Sequence, residues 1–316
     1  MTPESSAVRP TLRLGPEVNP TCEDTQQTTS TVEPVTKGVV TPRPLGGARG
    51  RIGRLRERIS PRDEEILKSL GALRLMTGNQ IERLHFVEGS PATRGRRCRA
   101  ALKRLAELKL IVRLGRRIGG MHAGSAGYVI GLSGYGQAVI DNDGPMGGRR
   151  RKIWETKPKF TDHVLAVAEI YVGLREAERT ETLELLEFQA EPACWRQSTS
   201  SHGQPLTVKP DAFVRLGVAD LELSSFIEVD MGTESPATLS KKMQAYIAYW
   251  RTGIEQQRHG VFPRVWWLGN SSRAHQRIVR VLQSLPLDTQ HLFGVALLAD
   301  ATSSLTFAAK EADMNA

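Results

Sequence analysis

The chain has 316 residues, 40% of them hydrophobic, which leaves room for two domains of ordinary size with packed cores. Its three cysteines, Cys22, Cys98 and Cys194, lie far apart and form no CxxC or Cys/His cluster, so neither a disulfide framework nor a cysteine-based zinc site is indicated. No apolar run reaches the eighteen or so residues a membrane helix needs, and no charged start followed by an apolar run opens the chain; a soluble cytoplasmic protein with no membrane association is expected.

The formal net charge of +9 is unevenly placed. Residues 51–140 carry eighteen Lys/Arg against seven Asp/Glu, whereas 1–50 is balanced and 141–316 is slightly acidic. Such a local surplus suits a polyanion-binding surface, because neutralised phosphates release counterions and drive association.

Residues 1–50 contain seven of the seventeen prolines, many Thr and Ser, and no aromatic residue. That composition cannot bury enough apolar area to offset the entropy of ordering, and a disordered tail is predicted. From Ser60 the pattern changes. Ser60-Pro61, with Glu64 in the first turn, predicts a helix to about Gly71 with Ile66, Leu67 and Leu70 facing inward. Thr77 and Gln80 form a capping-box pattern ahead of a short helix carrying Ile81 and Leu84. Ser90-Pro91 repeats the start signal for a third helix to about Leu108. Two β-like segments follow, Leu110–Leu114 and Tyr128–Leu132, around a glycine-rich loop with Arg116 and Arg117. Helix, short helix, helix and hairpin is the order of a winged helix, predicted here over 51–140.

In the third helix Cys98, Ala101, Leu102, Leu105 and Leu108 form one stripe at the helical period. Arg94, Arg96, Arg97, Arg99, Lys103 and Arg104 lie off that stripe, and the segment Arg94–Arg117 holds ten basic residues against Glu107 alone. A helix of this kind suits the major groove of double-stranded DNA. Arg97 and Arg104 are expected on phosphates, and Arg96, Arg99 and Lys103 on bases. RNA stays open as a ligand, and a twofold homodimer is the default for a winged helix reading palindromic DNA. A linker is predicted over 141–158, whose basic run Arg149–Lys152 reads equally well as a phosphate contact or as plain linker.

Helices alternating with short apolar runs predict a second, α/β domain over 159–300 with a mixed sheet covered on both faces, then a C-terminal tail, 301–316. The expected helices are Asp162–Arg179, Pro236–Thr252 and Ser272–Leu285. The expected strands are Leu183–Gln189, a hairpin of Leu206–Leu216 and Leu221–Val229 turning at Gly217, Arg264–Leu268, and Leu292–Leu298. Trp266 and Trp267 fit a buried sheet better than a base-stacking platform.

Three acids in this region have the makings of a site. Asp211 follows Pro210, and Glu228 and Asp230 end an otherwise apolar strand on one side of it. Converging carboxylates repel unless a cation joins them, and Mg²⁺ or Mn²⁺ takes such oxygen ligands. A metal or active site, a binding-only relic and plain strand-end acids are the competing readings.

The pattern Pro210-Asp211 with Glu228-Val229-Asp230 resembles the PD-(D/E)XK nuclease-like fold. That resemblance implies catalytic and metal-holding roles for Asp211, Glu228 and Asp230, and an additional acid at Glu169 in the first helix. More broadly, 51–300 resembles the replication-relaxation family of plasmids and other mobile elements, most strongly over 226–250, where Glu228-Val229-Asp230-Met231-Gly232-Thr233-Glu234 and Lys241-Lys242-Met243-Gln244-Ala245-Tyr246 lie. It implies a part in replication, relaxation or transfer of such an element, with replication or relaxase proteins as partners. The departure from the nuclease pattern is Asp230, which stands where hydrolytic families carry the lysine that orients water and stabilises charge on phosphate. Lys242, from the following helix, is either a substitute for it or an ion-pair partner of Glu228 or Asp230. The leading expectation is a DNA-binding accessory protein. A Mg²⁺-dependent endonuclease or nickase and a winged-helix transcriptional repressor are the alternatives.

Overall fold

Serine and threonine side chains set the helix starts in the first part of the molecule. The computed structural model describes residues 48–114, 128–141, 158–199 and 203–306. A basic helix, α1 (Ala48–Arg56), comes first, where the sequence pattern suggests the end of a tail. In α2 (Pro61–Leu73) the Ser60 hydroxyl accepts from the Asp63 N–H, and Asp63 accepts in return from the Ser60 N–H at 2.9 Å. Strand β1 (Leu75–Thr77) leads into α3 (Gly78–His85), where Thr77 and Gln80 repeat the reciprocal cap. Ser90 caps α4 (Pro91–Glu107), with proline at its first position. Each cap is worth about 1 kcal/mol and needs no distant partner, which is why all three starts fall where expected.

Strands β2 (Ile111–Leu114) and β3 (Val129–Leu132) pair antiparallel, and β1 joins the free edge of β3. Residues 115–127, with the expected loop and Arg116 and Arg117, lie outside the described residues. A further helix, α5 (Gly134–Ile140), starts at Ser133, whose Oγ donates to the Lys109 carbonyl at 2.6 Å. The core here is Ile66, Leu67 and Leu70 of α2, Ile81 of α3, and Cys98, Leu102 and Leu105 of α4.

The mixed-sheet region opens with a long helix, α6 (Pro158–Arg179). It continues through β4 (Glu184–Ala190), β5 (Arg196–Thr199), β6 (Pro205–Val208), β7 (Ala212–Val218) and β8 (Leu221–Asp230). Helices α7 (Pro236–Trp250) and α8 (Ile254–His259) lead to β9 (Arg264–Gly269), α9 (Ser272–Gln283), α10 (Leu287–Gln290) and β10 (Phe293–Leu297). The five-stranded sheet has the order β10-β9-β8-β7-β4, with β7 antiparallel to both neighbours and β8, β9 and β10 parallel. Two expectations are corrected. The single strand expected over Leu206–Leu216 is two, because Pro210 interrupts the run and β6 pairs with β5 instead. The hairpin turns at Ala219 and Asp220, not at Gly217, which pairs with Glu222 inside the strand and leaves room for Glu184 alongside.

Alternate residues of the strands face opposite layers. Phe213, Phe226, Trp267 and Phe293 pack under α7 and α9, whereas Val214, Ile227, Trp266 and Leu268 pack under α6. Both tryptophans are buried, as a sheet position requires. Residues 301–306 are helical where a tail is expected, and Ala301 and Leu305 join the core on the α6 side.

The other side of α6 carries the helical region. Ala168 and Val172 enter its core, and Val164 and Leu165 pack on Leu75 and Val129. Arg83 of α3 donates to both oxygens of Glu176, at 2.8 and 2.6 Å, and to Glu169. Arg179 donates to the carbonyls of Arg83 and Leu84. Residues 46–316 accordingly form one compact unit, an α+β fold with an N-terminal helical region and a C-terminal mixed sheet. No helix among the described residues is long and apolar enough to cross a membrane.

Candidate functional site

Two places concentrate charge: the outer side of α4 and the end of β8. On α4 the buried stripe is Gly95, Cys98, Ala101, Leu102 and Leu105, and burial pushes the Cys98 thiol up to about 12, so it is an inert part of the core. Opposite the stripe, Arg96, Arg97, Arg99 and Lys103 are exposed and Arg94 is half-buried. Lys103 has Glu107 at 3.9 Å one turn on, a solvent-screened pair worth little. Arg104 is exposed as well, and its Nη2 lies 2.7 Å from each oxygen of Asp63, a carboxylate only 1% exposed, so part of its guanidinium is engaged by the helical core. Arg113 on β2 is also exposed, with its guanidinium over the Tyr128 ring at 5.7 Å; its lone place in an apolar strand gave no signal of a surface role.

Around the end of β8, the hairpin brings Asp211 and Glu228 close together. Asp211 accepts the Val229 N–H at 2.7 Å and faces His163 Nε2 of α6 at 3.0 Å. Burial alone would lower the His163 pKa, but the bond to Asp211 and its charge outweigh it and raise it. Glu228 is 2% exposed. It accepts from the Tyr246 hydroxyl at 2.6 Å and from Lys242 Nζ at 2.9 Å, both supplied by α7. Burial, and then the charge of Asp211, push the Glu228 carboxyl up to about 7. Burial opposes the Lys242 ammonium as well, yet Glu228 and Glu234, the latter at 2.6 Å, raise its pKa further. The Tyr246 hydroxyl, buried against that carboxylate, is held neutral well above its usual range.

Asp230 has a different occupation. One oxygen accepts the N–H groups of Gly232 and Thr233 at 2.8 and 3.2 Å, and the other is paired with Arg277 of α9. Gly232, at φ 81°, provides the left-handed step that aims those N–H groups inward. Asp230 is thus the cap of a turn, pinned also by Asn270 on the Met231 carbonyl. Glu169 lies elsewhere, bonded to Arg83 and Gln80 on the outer side of α6. A metal centre made of Asp211, Glu228 and Asp230 does not fit this arrangement. Among the described residues no group of three or more His, Cys, Asp or Glu is placed to hold a metal ion, and Lys242 and Arg277 already provide the compensating positive charge. Of the four residues expected together, Asp211, Glu228 and Lys242 lie close to one another and Asp230 has separate partners, while His163, Glu234 and Arg277 join them unforeseen. A lone His and a lone Arg on distant helices leave no local pattern to read.

The family model described as replication-relaxation matches residues 67–265. The chain belongs to the replication-relaxation family. Membership is consistent with a role in the replication or relaxation of a plasmid or other mobile element. In this replication-relaxation protein the matched span runs from within α2 into β9, and takes in α4, Asp211, Glu228, Asp230 and Lys242. It stops before α9 and Arg277. No curated protein and no solved structure matches the chain.

Proposed function

We propose that this replication-relaxation protein is a duplex-DNA-binding accessory factor whose region 51–140 is a winged helix with α4 as its reading helix. The observation that carries the proposal is the outer side of α4, where Arg96, Arg97, Arg99 and Lys103 stand exposed and Glu107 is the helix's sole acid. The element order α2, β1, α3, α4, β2, β3, with the sheet order β1-β3-β2, supports it. An α-helix with a basic outer side fits the major groove, where arginine pairs with guanine edges and phosphates fix the register.

In the same reading the mixed-sheet region is PD-(D/E)XK-like in architecture and does not cleave. Support comes from α6, the β7–β8 hairpin and α7 crossing to a parallel β9, with Asp211 and Glu228 at the hairpin. Neutralisation of its acids by Lys242 and Arg277 favours scaffolding over hydrolysis. The test is the full chain incubated with supercoiled plasmid and short duplexes, with and without Mg²⁺. Binding should weaken steeply with salt, and Arg96→Ala/Arg99→Ala should weaken preferred sites more than random ones. Unchanged binding by that variant would remove α4 as the reading helix. Mg²⁺-dependent nicking that disappears in Glu228→Ala would make the protein an endonuclease after all.

A further inference from the structure

The mixed-sheet region is nearly neutral in sum, but its charge is sorted by layer. Residues 158–230 hold thirteen Asp/Glu against six Lys/Arg. Residues 231–285 reverse this, with eight Lys/Arg against two Asp/Glu, Glu234 and Glu255. Both of those carboxylates turn inward. Glu234 is bound by Lys242, and Glu255, 1% exposed, is held by Arg196 and the Tyr249 hydroxyl. Helices α7 and α9 contain no acid at all. Their outer sides and the adjoining α8 segment expose Lys241, Arg251, Arg258, Arg273 and Arg280, none of them in an ion pair with a described residue. The nearest acids in sequence beyond α9 are the exposed Asp288 and Asp300, of which Asp300 lines a hollow beside Ser272 and His275 at the start of α9.

A solvated helix face ordinarily mixes signs, since i,i+4 pairs of opposite charge stabilise it. An acid-free face spread over several helices is instead the footprint of a polyanion. We infer that the α7–α9 face is a second duplex-binding surface, so that one chain holds two DNA segments at once. This rests on the reading of α4 given above. The layer order supports two segments over one. The helical region packs on the outer side of α6, whereas α7 and α9 cover the opposite face of the sheet. At roughly 8–10 Å for each packed helix layer, α6 and the sheet set the helical region apart from Arg273 and Arg280, which favours a separate duplex for each face.

The experiment is a bridging assay with the full chain. A short duplex fixed to beads captures the protein, and a second, fluorescent duplex is added at rising salt. Wild type should retain the second duplex. Lys241→Glu/Arg273→Glu/Arg280→Glu should lose it by at least tenfold while still binding the first. Lys241→Gln/Arg273→Gln/Arg280→Gln, with a thermal melt beside it, serves if charge reversal disturbs folding. Its salt dependence for the second duplex should flatten by about three in the slope of log affinity against log salt. Equal bridging by a folded variant would overturn the inference and assign bridging to a pair of protein copies. Retention of a single-stranded RNA in place of the duplex would overturn it too. Arg96→Ala/Arg99→Ala separates the two readings. If wild type binds one duplex through α4 and no second, this inference alone fails; if it binds none, the α4 reading fails.

Discussion

Replacing Lys242 with methionine tests whether its ammonium is what keeps a charge on Glu228 inside the protein. Methionine keeps much of the stem that lies over Trp267, whose ring is 5.7 Å from Nζ, so the change is mainly one of charge. Without Lys242, Glu228 retains only the Tyr246 hydroxyl, faces Asp211 unopposed, and Glu234 loses its partner too. Orphaning a buried carboxylate costs about 3–5 kcal/mol. Because the Lys242 side chain is 36% exposed, water already screens the pair, and about 2–3 kcal/mol is the expected loss. The loss depends on pH. The folded Glu228 carboxyl sits at about 7, above the roughly 4.3 of an unfolded chain, so the folded state holds that proton more tightly. The Glu228 contribution to stability therefore falls as pH rises through the window from about 4.3 to about 7, and then levels off in the wild type. Lys242, with its pKa raised above 10.5, stays charged throughout. In Lys242→Met the carboxyl ionises later, so the decline continues, and the gap widens by up to about 1.4 kcal/mol per pH unit above about 7. Urea unfolding followed by tryptophan fluorescence at about pH 5.5, 7 and 8.5 measures it. A loss of equal size at all three values would refute the reasoning, and so would no loss at all.

Arg83→Met should lower stability by about 1–3 kcal/mol, since it removes three charge-assisted bonds between α3 and α6 that are only partly exposed. Arg83→Lys should fail to restore it, because an ammonium cannot match the fork on Glu176; a melting temperature unchanged in both variants would discount the bridge. Gly136→Ala should destabilise by at least about 2 kcal/mol, since the new Cβ would meet the Leu110 carbonyl oxygen at 2.1 Å; wild-type thermal unfolding would mean that α5 packs less closely than described. Arg104→Ala should cost about 1–2 kcal/mol by leaving the buried Asp63 carboxylate with its Ser60 bonds alone and no cation, while Arg97→Ala stays within about 0.5 kcal/mol. Chemical denaturation compares them, and equal effects would contradict the structural assignment of Arg104.

What the amino-acid order discloses here is what is local. Ser60, Thr77 and Ser90 announce their helices because each cap closes within three or four residues. The stripe of α4 is legible because burial repeats with the helical period, and β8 and β9 because they are short apolar runs buried on both faces. β1 is three residues long and owes its existence to β3, more than fifty positions on, so nothing in Leu75–Thr77 marks it. Gly217 imitates a turn, whereas Ala219 accepts a left-handed φ of 50° because the flanking pair Val218 and Leu221 is held in the sheet. Acid and base types are visible in advance, but partner choice is not. Arg104 and Glu169 have the chemistry of surface contacts and are spent on Asp63 and on Arg83 through encounters 41 and 86 residues apart.

The two-sided burial of α6 has a consequence for anyone who would treat this protein as modules. The helical region is not a detachable head. Cut free near residue 141, it would present to water the apolar surface now covered by Val164, Leu165, Ala168 and Val172, with Arg83 stripped of Glu176 and Glu169. Such a half-molecule is a candidate for self-association, and a graft of α4 and its neighbours onto another scaffold must carry α6's outer side with it. On the proposed reading it also means that the angle at which α4 would meet DNA is inherited from the sheet. Rocking of α4 independently of α7 and α9 would first have to break the seam at Arg83 and Arg179.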